Sequence, residues 1–157
     1  MNFVWLDYDP ESMDNIEKWL DEAAVQSTGL EDGFRDFYEY WEKEEGYSVG
    51  ANFWCKVIFQ HNKPFAVIAF CSHLSKIIVM EILVAPEKRG RGMGSKVLRE
   101  LLSWPEWKER GIATCESIIF PDNKASQKAF ANAGFRCHHT YEDGSAMLYI
   151  FNFEEDE

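Results

Sequence analysis

Basic residues are scarce in this chain, and long apolar runs are absent. Its 157 residues include 27 acidic and 16 basic side chains, a formal net charge of −11. Because nucleic acid requires a basic protein surface, this balance argues against a nucleic-acid-binding function. No apolar run is long enough for a membrane-spanning helix, and the first residues lack the basic and apolar regions of a secretory signal. We therefore expect a cytoplasmic protein.

Clusters of metal ligands are lacking as well. The chain has no CxxC motif, and its four histidines do not approach the cysteines at ligand spacing. This spacing favours reduced thiols in the protein core over a disulfide or a zinc site. The thiols concerned are Cys55, Cys71, Cys115 and Cys137. We expect no bound metal.

The acidic residues are concentrated in the first third of the chain. Residues 1–50 contain 14 acidic and 3 basic residues, whereas residues 51–157 contain 13 of each. The whole net charge therefore belongs to the first segment. Residues 153–157 form a short acidic tail, which we expect to be solvated.

Hydrophobic periodicity predicts one mixed α/β or α+β domain over residues 1–157. The runs "FVWLDY", "NFWCKVIFQ", "PFAVIAFCS", "KIIVMEILVAP", "ATCESIIF", "FRCHHTYE" and "AMLYIFNF" indicate strands. A first helix is expected to begin at Pro10, with Asp9 as its N-cap, and to continue through Ala24. A helix that begins at Gly92 is expected to end near Pro105.

The stretch "VAPEKRGRGMGSKVLREL", residues 84–101, places three glycines and five basic residues where a strand gives way to a helix. The first N–H groups of a helix lack partners within it and carry the positive end of its dipole. Glycine lets a phosphate approach the backbone closely. The stretch therefore predicts a site for a phosphorylated ligand. Neither the P-loop pattern nor the GxGxxG dinucleotide pattern is present.

The pattern Arg89-x-x-Gly92-x-Gly94, after "EILVAPEK", resembles the acetyl-CoA signature of the GNAT superfamily of N-acetyltransferases. Downstream, Asn123-x-x-Ser126-x-x-x-Phe130-x-x-x-Gly134-Phe135 is similar to that superfamily's second motif. The resemblance assigns residues 76–136 to an acetyl-CoA-binding core. It assigns residues 1–50 to an acidic, acceptor-side segment. It implies a single-domain GNAT fold, a mixed and mostly antiparallel sheet of six to seven strands flanked by about four helices.

The resemblance also implies roles for the residues along the cosubstrate. Backbone groups of Leu83 and Val84 would pair with the pantetheine arm, and amides from Arg89 through Ser95 would hold the diphosphate. Asn123 and Ser126 would line the far side of the cleft. The expected binding residues are Leu83, Val84, Arg89, Gly90, Arg91, Gly92, Met93, Gly94, Ser95, Asn123, Ser126 and Phe130.

Two catalytic candidates follow. Glu81 is a single carboxylate in an otherwise apolar strand, and we interpret it either as the general base or as a structural carboxylate. The N–H of Val84 is the expected donor to the acetyl carbonyl. Phe130 stands where many superfamily members carry a tyrosine that protonates the leaving thiolate. Tyr141 or water would then supply the proton, unless the thiolate leaves unassisted.

The function implied is direct transfer of acetyl from acetyl-CoA to a primary amine, without a covalent enzyme intermediate. The acidic segment favours a small, cationic acceptor. A non-catalytic acyl-CoA-binding module is one alternative, favoured by Phe130, and acetylation of a protein N-terminus or lysine is another. A homodimer is compatible with the sequence.

Overall fold

The computed structural model describes residues 3–43, 52–141 and 143–153. Within these ranges it has seven strands and five α-helices. The strands are β1 (Val4–Asp7), β2 (Asn52–Gln60), β3 (Lys63–His73), β4 (Lys76–Val84), β5 (Thr114–Ile119), β6 (Arg136–Thr140) and β7 (Met147–Asn152). The helices are α1 (Glu22–Thr28), α2 (Phe34–Lys43), α3 (Met93–Leu102), α4 (Pro105–Glu109) and α5 (Lys124–Asn132). Two short 3₁₀ helices cover Asp14–Trp19 and Pro86–Lys88.

All seven described strands form one sheet in the order β1-β2-β3-β4-β5-β7-β6. Neighbouring strands are antiparallel except for β4 and β5, which run parallel. The predicted fold class, a mixed and mostly antiparallel sheet with flanking helices, is confirmed.

The sheet is covered on both faces. On one face, α3, α4 and α5 bury Leu98, Trp107 and Phe130 against β2 to β5 and β7. On the other face, the first 3₁₀ helix, α1 and α2 bury Ile16 and Phe34 against β2, β3 and β4. The edge between these two layers, at the carboxyl end of β4, is where the glycine-rich stretch begins.

A β-bulge in β4 decides which way Glu81 faces. Val79 pairs with Phe70 and Glu81 pairs with Ala69, so Met80 is the extra residue. Val79 and Phe70 belong to the α3–α5 core, whereas Ala69 belongs to the α1–α2 core. Strict alternation from Val79 would have placed Glu81 in the α3–α5 core. The bulge turns it toward the α1–α2 face instead.

The prediction of one continuous helix from Pro10 through Ala24 is wrong. The carboxylate of Asp9 accepts hydrogen bonds from the N–H of Glu11 and the hydroxyl of Ser12, which form a turn rather than a helix start. A 3₁₀ helix follows, and α1 begins only after Asp21, whose Oδ1 accepts from the N–H of Ala24 at 3.0 Å. Asp21 is therefore the true N-cap of α1.

The structure also bears on three smaller expectations: the end of α3, the state of the cysteines and the acidic tail. Pro105 does follow the end of α3, but it also begins α4, which the periodicity did not predict. Cys55 and Cys115 are buried, reduced thiols as expected, whereas Cys137 is exposed on the edge strand β6. Residues 154–157 of the expected tail lie outside the described residues. In the described part of the chain, no helix is long and apolar enough to cross a bilayer.

Candidate active site

The parallel strands β4 and β5 separate near their carboxyl ends. Their paired register covers only Lys76–Ile78 against Thr114–Glu116. One step further, the hydroxyl of Ser117 donates to the carbonyl of Val79 at 2.9 Å and closes the paired part. Beyond this point a cavity of about 240 Å³ lies between the strands. Such an opening can admit an extended ligand as a third strand.

The pairing of β4 with β3 shows which backbone groups of β4 face the opening. The N–H of Ala85 donates to the carbonyl of Phe65 in β3 at 2.8 Å. Backbone groups alternate in direction along an antiparallel strand, so those of Leu83 face β3 and those of Val84 and Ile82 face the opening. The opening-facing N–H of Val84 agrees with its predicted position as a donor. Ile82, not Leu83, therefore supplies the other backbone groups on this edge.

The glycine-rich corner forms the start of α3. Gly92 is its N-cap, with a left-handed φ of 75°, and no side chain of the described residues caps this end. The first hydrogen bond into the helix runs from the N–H of Lys96 to the carbonyl of Gly92 at 3.2 Å. The amides of residues 93–95 therefore precede the first intrahelical donor, the usual arrangement of an anion site.

The three glycines have different structural roles. Gly90 and Gly92 have φ of 74° and 75°, and a Cβ at either position would meet no atom within 4 Å. They leave open space at the corner and need the left-handed conformation. At Gly94, by contrast, an added Cβ would lie 3.4 Å from the Cβ of Ala129. Its absent side chain permits close packing of α3 on α5, so the expectation that all three glycines clear space for phosphate applies to two of them.

A cavity of about 430 Å³ runs along the corner. Ten of the predicted binding residues line it, and Phe130 lines the smaller cavity. The ten are Leu83, Val84, Arg89, Gly90, Gly92, Met93, Gly94, Ser95, Asn123 and Ser126. The remaining one, Arg91, is exposed between Gly90 and Gly92 and does not line either cavity. The open glycine cradle, the unpaired helix start and the basic side chains of Lys88 and Lys128 fit a phosphorylated ligand.

The two cavities are adjacent. Ser27, Ile82, Asn123 and Ser126 line both of them. Asn123 is the N-cap of α5, and its Oδ1 accepts from the N–H of Ser126 at 3.0 Å. Its Nδ2 donates to the carbonyl of Ser27 at 3.4 Å, which joins α5 to α1 across the opening. The arrangement can therefore hold a long ligand from the corner to the point where the strands separate.

Glu81 lines the smaller cavity and is the one carboxylate among its described lining residues. Burial among apolar neighbours raises its pKa from the ordinary value near 4.5 to about 8. A carboxylate with this pKa is a stronger base than an ordinary glutamate and is still substantially ionised at mildly alkaline pH. Its place in the opening and its pKa both suit proton transfer.

The two residues considered for the leaving-group proton lie differently. Phe130 is buried at 1% exposure, stacks edge-on against Phe135 at 4.9 Å and lines the smaller cavity. Tyr141 is 38% exposed, follows the edge strand β6 and packs on His139 at 4.8 Å. It lines neither cavity, because β7 separates β6 from β5 in the sheet order. The structure does not bring Tyr141 to Glu81.

The acidic residues of the first third do not line either cavity within the described residues. Glu17 accepts from the N–H groups of Phe34 and Arg35 at 2.9 and 2.7 Å and so caps α2. Asp21 caps α1. Several others, including Glu22, Glu31, Asp32, Asp36 and Glu42, are exposed. Their influence on a ligand in the cleft would be long-range.

Comparison with known proteins decides the family. A family model described as an acetyltransferase (GNAT) domain matches residues 2–136. The chain belongs to the GNAT acetyltransferase family. Membership confirms the predicted family, fold class and enzyme class, an acetyl-CoA-dependent N-acetyltransferase, and with them acetyl-CoA as the cosubstrate of the class.

Individual GNAT relatives are distant. The L-2,4-diaminobutyric acid acetyltransferase of Oceanobacillus iheyensis is 25% identical over 101 residues, 57% of this chain and 54% of that protein. The match thus spans about half the length of this relative. Among solved structures, the aminoglycoside acetyltransferase AAC(6')-Ib with paromomycin and acetyl-CoA has a TM-score of 0.76 at 14% identity, covering 98% of this chain and 94% of its own. The ribosomal-protein-S18-alanine N-acetyltransferase of Escherichia coli has a TM-score of 0.67 at 15% identity, covering 99% and 97%.

The sequence did not predict the contribution of α1 to the cleft of this GNAT domain. Ala23, Ala24, Ser27 and Thr28 line the larger cavity. The only sequence signal was their small size at helical spacing, which equally suits a packed core. Lys128 and Asn132 on α5 were also missed, although with Ala125 and Ala129 they recur at the spacing of one helix face.

Proposed function

We propose that this GNAT domain transfers the acetyl group of acetyl-CoA directly to a primary amine. The observation that carries the proposal is the opening between β4 and β5, where Glu81 lines a cavity adjacent to the one along the glycine-rich corner. Ile82 and Val84 present backbone groups along the path between them. The names of the similar proteins, which include aminoglycoside and diaminobutyric acid acetyltransferases, support an amine acceptor.

The proposed chemistry needs three groups at this opening. Glu81 takes a proton from the acceptor ammonium, whose pKa is about 10 for an alkylamine, and leaves a neutral nucleophile. The nitrogen bonds to the acetyl carbon while the N–H of Val84 donates to the carbonyl oxygen, where negative charge develops. The C–S bond then breaks, the nitrogen gives its second proton to water in the cleft, and water supplies a proton to the thiolate. No side chain has to carry the acetyl group.

The test of this function is amine-dependent release of free thiol from acetyl-CoA. A panel of small mono- and polyamines, aminoglycosides, and peptides with free N-termini or lysines also separates small-molecule acceptors from protein acceptors. Tight binding of CoA without amine-dependent thiol release from any acceptor would favour the non-catalytic binding module.

Water is the proposed source of the leaving-group proton, since Tyr141 lies outside the cleft. We expect Phe130→Tyr to change kcat by less than about threefold, whereas a newly supplied, rate-limiting acid would raise it roughly 10²–10⁴-fold. Steady-state kinetics with saturating acetyl-CoA decide between the two. A large gain in kcat would mean that the natural site works without an efficient proton donor.

A cationic acceptor is the finer part of the proposal, and it rests on the long-range field of the acidic first third. Such a field concentrates cations near a cleft and is screened as salt shortens the Debye length from about 30 Å at 0.01 M to about 3 Å at 1 M. We expect the KM of an amine with additional positive charges to rise several-fold over this range. The KM of an amine of similar size that is neutral apart from its reacting group should change little. Equal salt responses would reduce the acidic segment to a solubilising surface.

A further inference from the structure

The guanidinium of Arg89 joins the glycine-rich corner to the segment before α1. Its Nε donates to the carbonyl of Val84 at 2.8 Å, its Nη1 to Oδ2 of Asp21 at 2.9 Å, and its Nη2 to the carbonyl of Trp19. Three acceptors from two separate parts of the chain, 68 residues apart for the ion pair, thus meet one planar side chain. The sequence predicted Arg89 at the diphosphate site, through its backbone amide and as one of the basic residues of the corner, and did not predict these side-chain contacts.

One acceptor, Val84, lines the larger cavity, and the other two, Trp19 and Asp21, lie just before α1, which also lines it. Val84 ends β4, and its carbonyl belongs to the same cleft-facing residue whose N–H is proposed to polarise the acetyl group. Asp21 is the N-cap of α1, because its other carboxylate oxygen accepts from the N–H of Ala24. The α1 residues Ser27 and Thr28 line the same cavity as Arg89. One side chain therefore sets the distance between the cosubstrate wall and the α1 wall.

Exposure indicates what this contact contributes. The side chains of Arg89 and Asp21 are 31% and 48% exposed, and ion pairs at such exposure add little to the stability of a fold. The hydrogen bonds that the N–H of Ala24 and the guanidinium of Arg89 donate favour the ionised carboxylate of Asp21 and lower its pKa. Fixed geometry, rather than folding free energy, is the property that three convergent hydrogen bonds on a rigid fork provide.

We propose that Arg89 is a positioning residue, with Asp21 as its counterpart, that holds α1 against the end of β4 and keeps the acetyl-CoA cleft at its binding width. The proposal rests on the proposed function for its kinetic consequences. Its binding consequences stand without turnover, because affinity for CoA alone reports the width of the cleft.

The decisive variant is Asp21→Asn. Asparagine keeps an oxygen that can cap α1 but removes the charge that pairs with Arg89. If the corner acts on CoA only through its net charge, loss of a carboxylate should tighten binding of the anionic ligand. If Asp21 works through Arg89, the same substitution should weaken binding, by about two- to fivefold for an exposed pair. The two explanations thus predict opposite signs.

Companion variants identify the contact. We expect Arg89→Gln to raise the Kd for CoA by about tenfold or more, since three hydrogen bonds to a charged group are lost. We expect Arg89→Lys to restore little of this, because one ammonium cannot reach all three acceptors. In the double variant with Asp21→Asn, the two effects should be less than additive. Arg35→Gln is the control, because Arg35 is an arginine that forms two ion pairs, with Glu11 and Glu39, and lines neither cavity.

The experiment is calorimetric titration of each variant with CoA, together with thermal melting and the KM values of both substrates. The proposal expects higher Kd and KM values for the Asp21 and Arg89 variants and melting temperatures within the range of Arg35→Gln. Tighter or unchanged CoA binding in Asp21→Asn, or an Arg89→Gln protein that matches Arg35→Gln in CoA affinity, would overturn it. A wild-type protein that binds CoA but turns over no amine would contradict the proposed function and leave this binding test in force.

Discussion

Replacement of Glu81 by glutamine is expected to lower kcat by roughly 10²–10⁴-fold, the usual contribution of a positioned general base. Glutamine keeps the size of the side chain but cannot accept a proton. Since burial disfavours the ionised carboxylate, a neutral amide at this position is not expected to lower the melting temperature. A loss of activity in this variant is therefore a chemical effect.

The pH dependence follows from the same residue. The pKa of Glu81 is raised to about 8, so the basic, ionised form increases as pH rises through this value. We expect kcat/KM of the wild-type protein to rise with pH and to level off above about 8, and Glu81→Gln to lose this limb. Glu116→Gln is the control, because Glu116 is a partly buried carboxylate of the same sheet that pairs with Lys76. A Glu81→Gln protein with wild-type kcat and pH profile would make Glu81 a structural carboxylate.

Gly92→Val is expected to raise the Kd for CoA by about tenfold to a hundredfold, since each hydrogen bond to a charged group contributes roughly 1.5–3 kcal/mol. A Cβ at Gly92 would stand in the open space at the start of α3, where the diphosphate is proposed to meet the backbone amides. The positive φ adds backbone strain of about 1–3 kcal/mol, so folding stability will fall too. Calorimetric titration with CoA measures the binding effect.

Gly111→Val separates these two effects. Gly111 has a φ of 71°, close to the 75° of Gly92, and a Cβ there would also meet no atom within 4 Å. It lies between α4 and β5, outside both cavities. The two variants should lose similar stability, and CoA affinity should fall in Gly92→Val alone. Equal CoA affinities in both folded variants would remove the corner from the binding site.

Local sequence signals were sufficient where one element determines its own geometry. The change of period at Gly92 placed the start of α3, and Asn123, a residue type that favours the N-cap, caps α5. In the turn between β6 and β7, the Asp143 carboxylate accepts from the N–H of Ser145, as a short polar turn residue is expected to do. In each case a glycine or a short polar side chain has a strong conformational preference of its own.

Features set by tertiary contacts were not predictable. The bulge at Met80 depends on the pairing of β4 with β3, and "VMEIL" alone carries no mark of it. The break before α1 had a signal in Asp21, a good N-cap, but the apolar residues on both sides keep one helical period. The position of Tyr141 depends on the order of the strands, in which β7 lies between β5 and β6.

Acetyl transfer from trideuteroacetyl-CoA to an amine tests the central claim most directly, with the amine and the intact protein both followed by mass spectrometry. The amine is first chosen by the thiol-release panel. We predict a trideuteroacetylated amine in amounts equal to the thiol released, no labelled protein at any time during turnover, and loss of the labelled product in Glu81→Gln. Thiol release without labelled amine, or label on the protein that passes to the amine, would contradict direct transfer in this cleft.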